Sequence, residues 1–341
     1  MLINNVKYQN IFKYWLLVTF SLLVLMVLVG GLTRLTDSGL SITQWELFSG
    51  ILPPLTNNEW QRYFALYKTI PQFTQLNFDM SLSQFKVIFF WEYIHRLLGR
   101  LIGIFYLLPL VYFSLNRILK KKYIARFFFI FVLILFQGVI GWYMVESGLT
   151  NKVTVSHYRL ASHLSIAFVI ISLVYWNFLN ILNFTNYFFL SAKKFNIWFY
   201  VLLALVFIQI IFGAFVSGLD AGKIYQTWPL MNLNYIPDDI QSSKVLLNFS
   251  NHSSVQFIHR NLAYFIIIYS LLLSFKIYNQ DKRIFKYYKT VLLFILLQIL
   301  IGIFTLISGL NFILASLHQI TSLLLVLTIL RLIFRTNHQL T

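Results

Sequence analysis

The sequence predicts an all-α integral membrane protein: eight transmembrane helices forming two pseudo-symmetric four-helix bundles that arose by internal duplication. Three observations carry this. Apolar residues make up 59% of the chain and charged residues only 11%, where a soluble chain is about one quarter charged. Apolar runs of the length that crosses a bilayer, roughly 20 residues, recur eight times. The two halves also repeat one string of motifs.

The first run, about 14–33, follows Lys7 and Lys13. It is full length and no small-residue cleavage site follows it, so it reads as a retained helix and not a signal peptide. No Arg- and Ser-rich amphipathic leader precedes it, which favours a bacterial inner membrane. The next three runs lie at about 87–116, 126–146 and 157–182, and close a first half over residues 1–185. The second half, residues 186–341, holds the runs at about 196–219, 255–276, 290–310 and 312–334.

Glu92-Tyr93-Ile94-His95-Arg96 is echoed by Gln256-Phe257-Ile258-His259-Arg260. Gln137 and Gly141 match Gln298 and Gly302, Ser147-Gly148-Leu149 matches Ser308-Gly309-Leu310, and His163 matches His318. The offset drifts from 164 at the first histidine to 161 at the serine and 155 at the second histidine, as shortened second-half loops require. Ser38-Gly39-Leu40 and Ser217-Gly218-Leu219 are expected to be equivalent too. Each opens a long loop, about 34–85 and 220–254, carrying tryptophan and proline. Such residues serve as interfacial anchors or as a lid over the helix ends.

The net charge of +17 does not point to nucleic acid. With the N-terminus inside, the inner segments carry sixteen cations against one acid, Asp281, and the outer segments seven cations against eight acids. The positive-inside rule therefore places both termini in the cytoplasm. With no cysteine, thiolate haem ligation, iron–sulfur clusters, covalent c-type haem and disulfides are excluded.

Seven histidines divide cleanly. His252 and His338 are expected to be solvated, and His157 lies at the water edge on a different helical face from His163. His95, His163, His259 and His318 each fall near the outer end of an apolar helix. An imidazole in hydrocarbon is costly without a partner, and two symmetric pairs at matched depth suit two haem irons with paired axial imidazoles. The alternative is interhelical hydrogen bonding. Copper or zinc would want three or four converging ligands. Arg96, Arg100, Arg159 and Arg260 accompany the histidines. They suit haem propionates, or they snorkel to headgroups. Glu92 shares a helix face with His95, whereas its counterpart Gln256 is neutral. A catalyst working in one half has use for such a carboxylate. Its alternative is an ion pair with Arg96.

The runs Gly30–Ile42, Phe90–Arg100, Phe136–Trp142, Tyr158–His163 and Gln226–Met231 together resemble the haem A synthase family, across nearly the whole chain. The likeness is greatest to its alphaproteobacterial and mitochondrial branch, which lacks the outer-loop cysteine pairs found elsewhere in the family. The resemblance implies oxidation of the C8 methyl of haem O to a formyl group in two successive steps, the second giving a gem-diol that loses water. It implies that His259 and His318 ligate a resident haem b cofactor, with Arg260 beside it. His95 and His163 would bracket the iron of the substrate haem, with Arg96, Arg100 and Arg159 around it and Glu92 near the methyl. The inserted oxygen comes from dioxygen or from water. Haem O, an electron acceptor and the lipid bilayer are the implied partners. Delivery by haem O synthase (a farnesyltransferase) and a homo-oligomer both stay open. The competing readings are a di-haem b electron-transfer membrane subunit and a haem transporter. The first leaves Glu92 idle, and the second expects helix breaks at the midplane.

Overall fold

Every apolar run predicted from the sequence is helical in the computed structural model, which describes residues 2–46, 49–150, 152–189, 197–243 and 246–339. In chain order the α-helices are α1 (Gln9–Leu35), α2 (Asn57–Tyr67), α3 (Pro71–Leu76), α4 (Leu82–Leu115), α5 (Lys121–Leu149) and α6 (His157–Leu182). They continue with α7 (Ile197–Gly218), α8 (Asp238–Ser243), α9 (His252–Gln280), α10 (Lys282–Ile307) and α11 (Phe312–Gln339). Among the described residues, eight helices are long and apolar enough to cross a membrane: all except α2, α3 and α8. Lys193 and Lys194, two of the inner cations, lie outside the described residues, as does the side chain of His338.

The chain forms two compact units. One comprises residues 3–171, the other residues 172–341 with residues 1–2. In the first unit α1 packs along α4, and α4 along α5. Far from the histidines this unit is closed by rings: Trp15 meets Phe12, Tyr106, Phe113 and Phe127 at centroid distances of 5.0–5.8 Å. In the second unit α7 packs on α9, α9 on α10, α10 on α11, and α11 returns to α7. That circuit is a four-helix bundle.

Local chemistry sets the helix ends. Ser81 and Gln84 form a capping box, in which each side chain satisfies a backbone N–H of the other residue. It starts α4 at Leu82, more than a turn before the predicted 87. His163, His259 and His318 therefore sit about two turns into their helices, but His95 is more than three turns into α4. Asn251 caps α9 through Ser254 N–H at 2.8 Å. Asp281 caps α10 through the N–H groups of Arg283 and Ile284.

The first long loop is a folded layer. Leu40, Ile42, Trp60, Phe64, Tyr67, Ile70, Phe85 and Phe89 form one buried cluster, so Trp60 is core and not an interfacial anchor, whereas Trp45 and Trp228 are 46% and 45% exposed. The expected equivalence of Ser38-Gly39-Leu40 with Ser217-Gly218-Leu219 does not hold. Ser217 and Gly218 are the last residues of α7, while Ser38 lies beyond the end of α1. The left-handed residue that follows each helix is Asp37 (φ 51°) or Asp220 (φ 53°). The true register therefore pairs Asp37 with Asp220, and the identical tripeptides are one turn out of step.

Candidate functional site

Each of the four histidines meets a glycine on a neighbouring helix. A Cβ on Gly30 of α1 would lie 3.0 Å from His95 Cε1, and one on Gly141 of α5 would lie 3.2 Å from His163 Cε1. In the second unit, Gly213 of α7 would stand 3.2 Å from His259 Cε1 and Gly302 of α10 would stand 2.8 Å from His318 Cε1. A contact under 3.0 Å, as at Gly302, forces a neighbour to move, and at 3.0–3.2 Å the neighbour must give by a few tenths of an ångström. The ring positions depend on having no side chain there. The first helix of each half cradles the first histidine, and the third helix cradles the second.

Glutamines hold the same histidines from the main-chain side. Gln137 Nε2 donates to the His163 carbonyl at 2.8 Å, Gln209 Nε2 to the His259 carbonyl at 3.0 Å, and Gln298 Nε2 to the His318 carbonyl at 2.9 Å. The amides of Gln209 and Gln298 also lie 3.4 and 3.3 Å from the imidazole Nε2 of the same histidines. His95 and His163 are within electrostatic reach of each other, as are His259 and His318.

All four rings keep a buried Nδ1 with no hydrogen-bond partner among the described residues. No group of three or more His, Cys, Asp or Glu converges among the described residues. Paired imidazoles, cradled rings and unsatisfied ring nitrogens fit a porphyrin iron in each unit, and not a three- or four-ligand copper or zinc centre.

Glu92 is 3% exposed and fully engaged. Its Oε2 accepts from Ser41 Oγ at 2.7 Å and from Ile42 N–H at 2.9 Å. Its Oε1 accepts from Arg96 Nε at 3.0 Å and Nη2 at 2.5 Å. The ion pair with Arg96, raised from sequence as the alternative to chemistry, is therefore present. Arg96 also donates to the Ile42 and Gln44 carbonyls and lies over the Trp45 ring. Arg100 Nη2 donates to the Glu46 carbonyl at 2.6 Å. The Glu46 carboxylate in turn accepts from Tyr63 at 2.8 Å. Burial and that carboxylate push the Tyr63 hydroxyl up to about 12.

The second unit repeats the arrangement with opposite polarity. Gln256 Nε2 donates to the Tyr225 carbonyl at 2.8 Å. Arg260 donates to the carbonyls of Tyr225, Thr227 and Leu230. Glu92 accepts from a loop N–H and O–H, whereas Gln256 donates to a loop C=O. Arg159 stands apart: it donates to the Tyr143 carbonyl and lies 3.5 Å over that ring. Of the three histidines outside the pairs, His252 is exposed at the start of α9. His157 is the first residue of α6 and is buried there.

The sequence motifs do not assign every part of this site. Packing is what pairs Gly30 with His95 and Gly213 with His259. Gln209 does carry a signal, because Gln209-x-x-x-Gly213 is a third copy of the Gln-x-x-x-Gly spacing. The loop partners Ser41, Ile42 and Tyr225 carry none.

Comparison with known proteins agrees with this geometry. Residues 13–330 match the COX15-CtaA family model, described as cytochrome oxidase assembly protein. The chain is 46% identical over 340 residues to the haem A synthase of Pelagibacter ubique (strain HTCC1062), covering 99% of this chain and 100% of that protein. It is 42% identical to the haem A synthase of Ehrlichia canis (strain Jake), over 92% and 89% of the two chains. The haem A synthase of Rickettsia bellii (strain RML369-C) is 41% identical over 91% and 94%. Two cradled histidine pairs, eight membrane-length helices and near full-length likeness converge, and the chain belongs to the haem A synthase family of cytochrome oxidase assembly proteins.

Proposed function

We propose that this protein is a membrane-bound haem A synthase, an oxidoreductase that converts the C8 methyl of haem O to a formyl group in two successive oxidations. The observation that carries this is the presence of one cradled histidine pair in each unit, in a chain 46% identical to a haem A synthase over its full length. His259 and His318 would hold haem b, which supplies electron transfer when bound. His95 and His163 would bind the iron of the substrate haem O.

Glu92 is the carboxylate of the substrate half. With donors on both oxygens, its readiest role is electrostatic: it favours positive charge developing at the methyl carbon. Accepting a proton would first require Ser41 or Arg96 to let go. Arg96 (beside its pair with Glu92), Arg100 and Arg260 donate to loop carbonyls, so their first service is to hold the loops over the helix ends. Any propionate contact is made from that fixed position. Arg159, beside Tyr143, completes the cationic rim of the first unit.

The charge distribution supports a bacterial inner-membrane location with both termini cytoplasmic and the haem sites toward the periplasm. The absence of native cysteine makes the topology directly testable. A single cysteine at Lys223 should react with an impermeant maleimide added to intact spheroplasts, and one at Lys282 should not.

The functional test is expression in a host that makes haem O but not haem A, followed by haem extraction and mass analysis. Haem A in the membranes, with haem b and haem O or A on the purified protein, is expected. Two equivalents of haem b and no haem A would move the protein to the di-haem electron-transfer class.

A further inference from the structure

Three of the four cradle glycines are preceded, one helical turn earlier, by a glutamine that holds the facing histidine. These are Gln137, Gln209 and Gln298, at 2.8, 3.0 and 2.9 Å from the histidine carbonyls. The fourth position, one turn before Gly30, is Met26. A thioether has no proton to donate, so α1 offers His95 no amide bond. The Met26 methyl turns to Gly99 instead: a Cβ there would lie 3.4 Å from Met26 Cε. Gly99 is one turn after His95, where the second half has Ala263 after His259. The Gln209–Ala263 pair of the second unit is thus a Met26–Gly99 pair in the first. Among the described residues, His163, His259 and His318 are held by cradle and amide together, but His95 by the cradle alone.

We infer that Met26, with Gly99, is the positioning element that makes the first-half haem site the exchanging one. The inference rests on the function proposed above, in which that half receives haem O and releases the product. A site that turns over its haem needs one axial ligand that can swing away, whereas a site that keeps its haem does not. An unbranched, flexible methionine side chain against a glycine adds no polar contact of its own that a shift of α4 at His95 would have to break. The amide of Gln209, lying against both the carbonyl and the ring of His259, opposes the same movement in the second unit.

The test is haem release from the purified full-length protein reconstituted with haem B, measured by transfer to excess apomyoglobin and resolved into fast and slow phases. M26Q should slow the fast phase by about five-fold, the equivalent of one net hydrogen bond, and leave the slow phase in place. Q209M should speed the slow phase by a similar factor and shift the low-spin spectroscopic signature of that haem alone. M26L, apolar and without a donor, should release at the wild-type rate. Unchanged release in both M26Q and Q209M, or equal slowing by M26L and M26Q, would overturn the inference. If M26Q does not fold, the Q209M rate decides. Failure of the underlying function looks different: H95A would then leave the fast phase intact and remove the slow one.

Discussion

The two units cradle their histidines alike but anchor their loops with opposite chemistry. In each, glycines on the first and third spanning helices make room for the imidazoles, and an arginine one residue after the first histidine grips loop carbonyls. The difference lies one turn before. Glu92 gathers a serine hydroxyl, a backbone N–H and a guanidinium, while Gln256 gives a single N–H to a carbonyl. Each side chain matches the polarity of the loop group opposite it. The Glu/Gln asymmetry, which from sequence alone reads as chemistry in one half, therefore also has a structural cause. The loop strand at Ser41–Ile42 presents donors, and the strand at Tyr225 presents an acceptor. A buried carboxylate that serves one half must be paired there, and Arg96 pairs it.

The largest effect is expected at the paired histidines. His259→Ala or His318→Ala should lose the tightly held haem entirely, and His95→Ala or His163→Ala should not, as read by pyridine haemochrome analysis of the purified variants. The reverse pattern would exchange the roles of the two units. Next comes the buried pair. Arg96→Leu leaves Glu92 buried without its cation, a class of change that costs about 3–5 kcal/mol. It should expose the loop between α1 and α4 to limited proteolysis while the loop between α7 and α9 stays protected. Equal cleavage of both loops would show that the anchors are not independent. Glu92→Gln is smaller structurally, because its remaining carbonyl can still accept from Ser41 and Ile42. It loses the charge-assisted bonds to Arg96, about 1.5–3 kcal/mol. If Glu92 acts on the substrate, haem A output should fall far more than loop protection does. Parallel losses would reduce Glu92 to an anchor. Gln256→Glu tests the other half: two acceptors would then face each other at Tyr225, which costs about 1–3 kcal/mol unless Arg260 turns toward the new carboxylate.

Much of this architecture is legible in the amino-acid sequence alone. Hydrocarbon-length runs are long and nearly uncharged, so their helices follow from composition. His95 and His259 repeat with their flanking Ile and Arg because imidazole and loop clamp share one helical turn. Register is harder. Ser38-Gly39-Leu40 and Ser217-Gly218-Leu219 are identical strings, yet the turn that ends each helix is set by the left-handed Asp37 and Asp220, which a tripeptide match overlooks. The motifs do not say which histidines the cradle glycines Gly30 and Gly213 meet, because those partners are 65 and 46 residues away along the chain, and only helix packing brings them together. For the same reason spacing places Glu92 beside His95 but says nothing of its bonds to Ser41 and Ile42.

The smallest predicted effect separates loop folding from loop anchoring. Thr56 and Glu59 close a capping box at the start of α2, and the N–H groups of Thr56 and Leu55 hold the Glu59 carboxyl below the usual carboxylate range. Because that shift is downward, the cap's contribution is complete above about 4.5 and is lost as pH falls through the lower folded value. Thr56→Ala should cost about 1 kcal/mol, seen as faster amide exchange in α2 at neutral pH and a weaker response to acid. Among the described residues, the α-helix of the second long loop is α8, Asp238–Ser243. If the first loop is held at Glu92 and Arg96 by those bonds alone, fraying the Thr56 end of α2 should leave both haem sites as they were, because the pins engage Ser41, Ile42 and Gln44 and not Thr56. If the Thr56 change instead loosens the first-half haem alone, α2 and the anchor act as one body. The cost of opening that half would then be shared between the cap, the aromatic cluster around Trp60 and the buried ion pair.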